Sequence, residues 1–127
     1  MRLLVAIFLL LPVPGAAFIA SNGMSARQIS PTEIEVDHDA RGNDTDYWCA
    51  AGDFVRKELR ASDRTRIWRA TPKPRKAGQG IVFTLDPQRK AEGAGLSQFG
   101  SGPRDGSLSA GMAVRHYCRL YVPRWRD

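Results

Sequence analysis

The chain contains only two cysteines, Cys49 and Cys118, and a covalent bond between them would constrain the fold more than any other feature of the sequence. Cys49 falls within residues 44–60, which the spacing of apolar residues predicts to be a helix. Trp48 and Val55 share one face of that helix, and Cys49 lies at the flank of this apolar stripe. The helix should therefore pack one face against the rest of the domain, with Cys49 close to the packed side.

Both ends of the predicted helix carry residues that suit its dipole. Short polar or acidic side chains at the start can accept bonds from the free N–H groups, and the candidates are Asp44, Thr45 and Asp46. Cations favour the other end, where Arg56, Lys57 and Arg60 lie. Gly52, in the interior, costs about 1 kcal/mol relative to alanine. It either allows a strand to approach closely or is simply tolerated.

Cys118 belongs to residues 114–122, where apolar and polar residues alternate strictly, and this alternation predicts a strand. One face would carry Val114, His116, Cys118, Leu120 and Val122, and the other Arg115, Tyr117, Arg119 and Tyr121. Cys118 would then point to the side that the helix covers, so we predict a Cys49–Cys118 disulfide. Closing a loop of about 70 residues should stabilise the fold by about 4 kcal/mol in the chain-entropy model.

The first twenty residues are typical of a secretory signal peptide. Arg2 is followed by an apolar run at 3–11 and then by helix breakers and small residues. Cleavage could follow Ala17, Ala20 or Gly23. A membrane anchor is the alternative, but prolines interrupt the apolar run before the roughly 20 residues that a spanning helix needs. We therefore predict export to the periplasm or beyond the cell, where disulfides persist, with no transmembrane segment in the mature form.

After this leader, residues 21–43 read as a polar lead that can form an edge strand at 32–37, and residues 44–123 read as a single domain. A short basic tail follows at 124–127. Residues 65–70 and 81–85 should form an antiparallel hairpin.

Prolines and glycines make 71–80, between these strands, a basic loop. Residues 88–106 read as an irregular loop, and 107–113 as a short helical turn. The predicted class is α+β: one main helix packed on a three- or four-stranded, mostly antiparallel sheet, with one disulfide.

Charge is unevenly distributed along the chain, which has a formal net charge of +6. Residues 21–53 hold two basic and seven acidic groups. Residues 56–76 hold two acidic and nine basic groups, and Arg64 is one of the basic groups. Such a basic surface can hold polyanions. The candidate anion-binding residues are Arg56, Lys57, Arg60, Arg66, Arg69, Lys73, Arg75, Lys76, Arg115 and Arg119.

An ordinary solvated surface, partly neutralised by the acidic stretch 33–53, is the alternative to anion binding. If the basic surface has a partner, export favours an anionic envelope polymer, lipid headgroups or an acidic protein over nucleic acid.

Two segments, 46–53 (DYWCAAGD) and 80–87 (GIVFTLDP), resemble stretches of small exported bacterial proteins of unknown function. The resemblance extends to the layout of residues 40–123. It implies no activity, since none is established for such proteins.

The cysteines and histidines allow a second hypothesis. His38, His116, Cys49 and Cys118 are nominally enough for zinc, but no closely spaced pair typical of a zinc site is present. Cys49 near a helix start could also act as a nucleophile with His116 as its base. The sequence therefore favours an exported, disulfide-stapled binding or structural module without catalysis or a cofactor. A small hydrolase or metal-binding protein using His116 with Cys49 or Cys118 is the alternative.

Overall fold

The residues that the structure describes fold into six short strands and two helices. The structure is a computed structural model that describes residues 17–92 and 105–118. Its elements, in chain order, are β1 (Phe18–Ile19), β2 (Ser25–Gln28), β3 (Glu33–Val36), α1 (Asp44–Lys57), β4 (Arg66–Arg69), β5 (Ile81–Thr84), a 3-10 turn (Pro87–Arg89), β6 (Leu108–Ser109) and α2 (Ala110–Tyr117). No helix in these ranges is both long and apolar enough to cross a membrane.

The strands form one antiparallel sheet in the order β1-β2-β3-β5-β4-β6. The α+β class is confirmed, but the sheet has more strands than the three or four predicted. The predicted hairpin of β4 and β5 is present. The strand predicted at 32–37 is present as β3, but its predicted place at the edge of the sheet is wrong. β3 pairs with β2 on one side and β5 on the other, so it lies inside the sheet.

Two strands that the sequence did not predict, β1 and β2, lie in the stretch predicted to be leader and polar lead. In β2 only Ala26 is buried, and β1 has two residues, so neither strand shows an alternating pattern. Backbone pairing holds both strands in place, with Phe18 opposite Ala26 and Ala26 opposite Val36.

Helix α1 begins and ends close to the predicted boundaries. Its N-cap is Asn43, one residue before the predicted candidates, and the Asn43 side chain accepts a bond from the Asp46 N–H at 3.1 Å. Asp46 returns the interaction by accepting from the Asn43 N–H at 3.0 Å, which completes a capping box. Nine consecutive residues from Tyr47 to Val55 are buried, so the middle of α1 is covered on every side.

The core lies between α1 and the sheet. The ring of Trp48 meets that of Phe83 from β5 edge to face, with centroids 4.8 Å apart. Buried aliphatic side chains from the inner strands complete this cluster: Ile34, Val36, Ile67 and Ile81.

The strand predicted at 114–122 is wrong for the residues that the structure describes. Residues up to Tyr117 belong to α2, and Cys118 is the C-cap of that helix. Ala113 packs so closely on α1 that a Cβ at Gly52 would lie 2.8 Å from the Ala113 Cβ. The close approach suggested by Gly52 is thus made by a helix rather than a strand. Residues 119–127, which include the rest of the predicted strand and the basic tail, lie outside the described ranges.

The Cys49–Cys118 disulfide is confirmed. It joins the second turn of α1 to the end of α2, with the two Cα atoms 4.9 Å apart and a sequence separation of 69. The disulfide therefore fastens one helix to the other, not the helix to a strand.

Candidate functional site

The disulfide determines what the cysteines and histidines can do. A cysteine in a disulfide has no thiolate, so neither Cys49 nor Cys118 can serve as a nucleophile or zinc ligand while the bond is intact. His38 and His116 are both exposed, and His116 lies on helix α2 instead of the predicted strand face that it would share with Cys118. Within residues 17–92 and 105–118, no three His, Cys, Asp or Glu residues are grouped as a metal site requires.

The predicted basic residues lie near different parts of α1, which is 14 residues and so about 20 Å long. Arg69 and Arg75 contact its first turns, whereas Arg56 and Lys57 belong to its last turn.

At the start of α1, Arg69 has a structural role. The residue is only 2% exposed. Its Nε donates to the Thr71 carbonyl at 2.7 Å, and its Nη1 lies 3.3 Å from the Asp44 carboxylate. The Arg69 guanidinium therefore ties the first turn of α1 to β4, instead of facing a partner in solvent.

Arg75 fastens the basic loop to the helix. Its guanidinium stacks over the ring of Tyr47, 4.7 Å from the centroid, and its Nη1 donates to the Gln79 carbonyl at 3.2 Å. Lys73 and Lys76 are exposed on the same loop.

Near the end of α1, two of the predicted cations are paired with carboxylates. Arg56 Nε lies 2.8 Å from Asp63 Oδ1, and Lys57 Nζ lies 3.3 Å from Asp53 Oδ1. Arg60 is exposed and has a φ of 56°, in the turn that leads out of the helix. The acidic stretch thus neutralises part of the basic run, as the sequence suggested, through the contacts of Asp53 with Lys57 and of Asp44 with Arg69.

Three arginines line one open pocket of about 350 Å³, which we call the arginine pocket. Arg64 comes from the turn before β4, Arg66 from β4 and Arg115 from α2. The pocket is also lined by Asp63, Ser109, Gly111 and Met112. Arg64 and Arg115 are exposed, and neither has a carboxylate partner within the described part of the chain.

Arg66 is held in position by two consecutive hydrogen bonds, from Arg66 to Ser107 and from Ser107 to Asp105. Its Nη2 donates to Ser107 Oγ at 2.8 Å, and the Ser107 hydroxyl donates to Asp105 Oδ1 at 2.6 Å. The Ser107 hydroxyl bond holds the pKa of the Asp105 carboxyl below its usual range, because it stabilises the charged form. Asp105 therefore stays ionised and supports the Ser107–Arg66 contact.

The backbone of α2 closes one side of the pocket. Gly111 N–H donates to the Asp63 carbonyl at 2.9 Å, and a Cβ at Gly111 would lie 3.0 Å from the Asp63 Cβ. The Ala110 N–H likewise donates to the Thr65 carbonyl at 2.8 Å. Because these helix-start N–H groups are already bonded, the positive character of the pocket comes from its arginine side chains.

A second polar cluster surrounds Glu33, which is 7% exposed. Its carboxylate accepts bonds from the hydroxyls of Ser30, Thr32 and Thr84, and Arg89 lies 3.4 Å away. The hydroxyl bonds, led by that of Ser30, lower the pKa of Glu33 to about 2. This cluster joins β3 to β5 and to the 3-10 turn, so we assign it a structural role.

The sequence alone identified the arginines that line the arginine pocket but not how the fold arranges them. Arg66 and Arg115 were among the predicted anion-binding residues and Arg64 was part of the basic run, yet Arg115 was assigned to a strand face. That face does not form, since Arg115 and Tyr117 belong to helix α2, and Tyr117 is half-buried against the core. Arg119 lies outside the described ranges. Ser107 and Gly111 gave no sequence signal, since their roles depend on α2 packing against Asp63.

Comparisons of the chain with protein-family models, with curated proteins and with solved structures found no match. Fold and geometry therefore define the class: a small α+β domain with one helix–helix disulfide and an arginine-lined pocket.

Proposed function

We propose that this protein is a small exported binding module that holds anionic groups in the arginine pocket and has no catalytic activity of its own. The observation that carries the proposal is the meeting of Arg64, Arg66 and Arg115 around one open pocket. Arg64 and Arg66, two residues apart at the start of β4, and Arg115 from α2 bring three positive charges to the lining of one pocket, and a cluster of one sign of charge attracts anions.

Guanidinium chemistry indicates the class of ligand. Its planar N–H donors match the paired oxygens of phosphate, sulfate or carboxylate groups. Arg66 is pre-oriented by Ser107, while Arg64 and Arg115 are exposed and can adjust to a ligand. Because the pocket is open, it suits an anionic group carried on a larger molecule, such as an envelope polymer or a lipid headgroup.

Export is supported by two observations. Residues 1–20 have the composition of a signal peptide, and the only two cysteines of the chain are joined. Disulfides of this kind persist in oxidising compartments outside the cytoplasm.

Retention on heparin, used as a general polyanion, tests the pocket. We expect the Arg64→Gln/Arg115→Gln variant to elute at lower salt than the unmodified protein. If each exposed ionic contact contributes about 0.5–1 kcal/mol, affinity should fall roughly fivefold to thirtyfold. Added salt should weaken retention of the unmodified protein steeply, because exposed charges are screened. Arg66 is left unchanged, since its bonds to Ser107 support the fold.

The matched control is Arg41→Gln/Lys90→Gln, which removes the same charge from exposed residues outside the pocket. Equal loss of retention in both double variants would show that net charge alone drives binding and would contradict the pocket. Two free thiols by titration, or zinc bound to the purified protein, would instead favour the hydrolase or metal-binding alternative.

A further inference from the structure

We infer that the leader is cleaved between Ala17 and Phe18, so that Phe18 becomes the first residue of the mature protein. This inference rests on the proposed export. It selects one of the three cleavage positions that the sequence allowed, because the structure shows which residues the fold uses.

The first described strand, β1, begins at Phe18. The Phe18 ring meets that of Phe54 from α1 edge to face, with centroids 5.4 Å apart, and Phe18 pairs with Ala26 of β2. Ala20 is buried, and its N–H donates to the Met24 carbonyl at 2.8 Å. Among the described strands, β1 lies at one edge of the sheet. Its contacts make it part of the packing around α1.

The next two residues bond directly to α1. The Ser21 N–H donates to Asp53 Oδ2 at 2.9 Å, and the Asn22 side chain donates to the Asp46 carbonyl at 2.9 Å. The Asp53 side chain is only 2% exposed, and it also forms an ion pair with Lys57. Ser21 therefore provides a hydrogen-bond donor to a buried carboxylate, and Asn22 provides one to a backbone carbonyl in the first turn of α1.

Cleavage at the later positions would remove these contacts. A break after Ala20 deletes β1 together with the Phe18–Phe54 contact. A break after Gly23 also removes the Ser21 N–H, so that the buried Asp53 carboxylate loses a donor. Cleavage after Ala17 leaves all of them in place.

Local sequence also suits the earlier bond. Gly15 and Ala17 would be the third and first residues before the cut, where a leader peptidase requires small side chains. A cut after Ala20 would place the bulky Phe18 third before the bond. Ala17 is exposed, whereas Ala20 is buried. In the cleavage, the peptidase adds water across the Ala17–Phe18 amide, so Ala17 gains a carboxylate and Phe18 an amino group.

Intact mass of the protein exported from a bacterial host tests the inference. Full-length chain should yield a periplasmic product that comprises residues 18–127 with two hydrogens lost to the disulfide. Ala17→Leu should block this product or move the cut, because it places a bulky residue next to the bond. Ala16→Leu, which changes the neighbouring position, should give the same product as the unmodified chain.

A product that begins at Ser21 or Met24 would overturn the inference and leave the arginine pocket and its heparin test unaffected. Uncleaved protein with two free thiols would overturn both this inference and the proposed export. As a second readout, purified 18–127 should melt at a higher temperature than purified 21–127. Equal melting temperatures would show that β1 adds nothing to the fold and would remove the structural basis for choosing Ala17.

Discussion

Glu33 is a carboxylate enclosed by hydroxyl groups, and its environment makes stability depend on pH. Because the folded-state pKa of about 2 lies below the ordinary value of 4.5, its contribution is fully present above pH 4.5. Protonation removes this contribution as the pH falls from 4.5 through 2. The hydroxyls of Ser30, Thr32 and Thr84 then lose a charged acceptor.

We therefore expect Glu33→Gln to lower stability near neutral pH and to flatten the acid limb of the stability curve. The difference from the unmodified protein should shrink as pH falls towards about 2. Urea midpoints measured from about pH 6 down to pH 2 check this. The control is Glu58→Gln, because Glu58 is exposed and has no ion-pair partner among the described residues. An acid limb unchanged by Glu33→Gln would contradict the assignment.

Among the elements, the contact between α1 and α2 depends on one missing side chain. Gly52→Ala should gain about 1 kcal/mol of helix propensity. The new Cβ would, however, lie 2.8 Å from the Ala113 Cβ and 3.1 Å from the Ala110 carbonyl oxygen. Overpacking of this kind costs about 1–3 kcal/mol, so we expect a net loss of up to about 2 kcal/mol in the free energy of unfolding.

A double-mutant cycle with Ala113→Gly identifies the cause. The double variant should be less destabilised than the two single changes predict together, by about 0.5–2 kcal/mol, because the shorter residue makes room for the added methyl group. Chemical denaturation of the four proteins gives the coupling. Strict additivity would mean that the helices separate without strain and that Gly52 is merely tolerated.

Some elements could be predicted from local sequence, and others could not. Helix α1 has an apolar stripe and a polar cap, and the β4–β5 hairpin has alternation and a loop rich in proline and glycine, so both carried their own signals. β1, β2 and β6 have two to four residues each and are held by backbone pairing with neighbours, which leaves almost no pattern. In α2, the residues that face α1 are small, and the alternation of Val114, His116 and Cys118 happened to fit a strand.

The same division applies to the arginine pocket. Composition and charge could indicate that this protein is rich in exposed arginine. Which arginines meet depends on α2 folding back against Asp63, and no short-range pattern encodes that contact. The burial of Arg69 was equally invisible, since its partners Thr71 and Asp44 lie on different sides of it in sequence.

For the whole molecule, the disulfide is the largest single constraint. Replacing both cysteines by alanine should lower the free energy of unfolding by about 4 kcal/mol, because the loop between two residues with a sequence separation of 69 is no longer closed in the unfolded chain. Denaturation with and without reductant checks this value. The double variant should be equally stable with and without reductant, whereas the unmodified protein should lose stability when its disulfide is reduced. Equal stability of oxidised and reduced protein would contradict the estimate.

The loop 71–80, in which Lys76 is exposed, lies between the two cysteines in sequence. Trypsin that cuts once after Lys76 would therefore produce two polypeptides that stay covalently attached through sulfur. On a gel the clipped species would migrate as a single band until a thiol reagent is added, and the hydrolysis itself would register only as the gain of one water in mass.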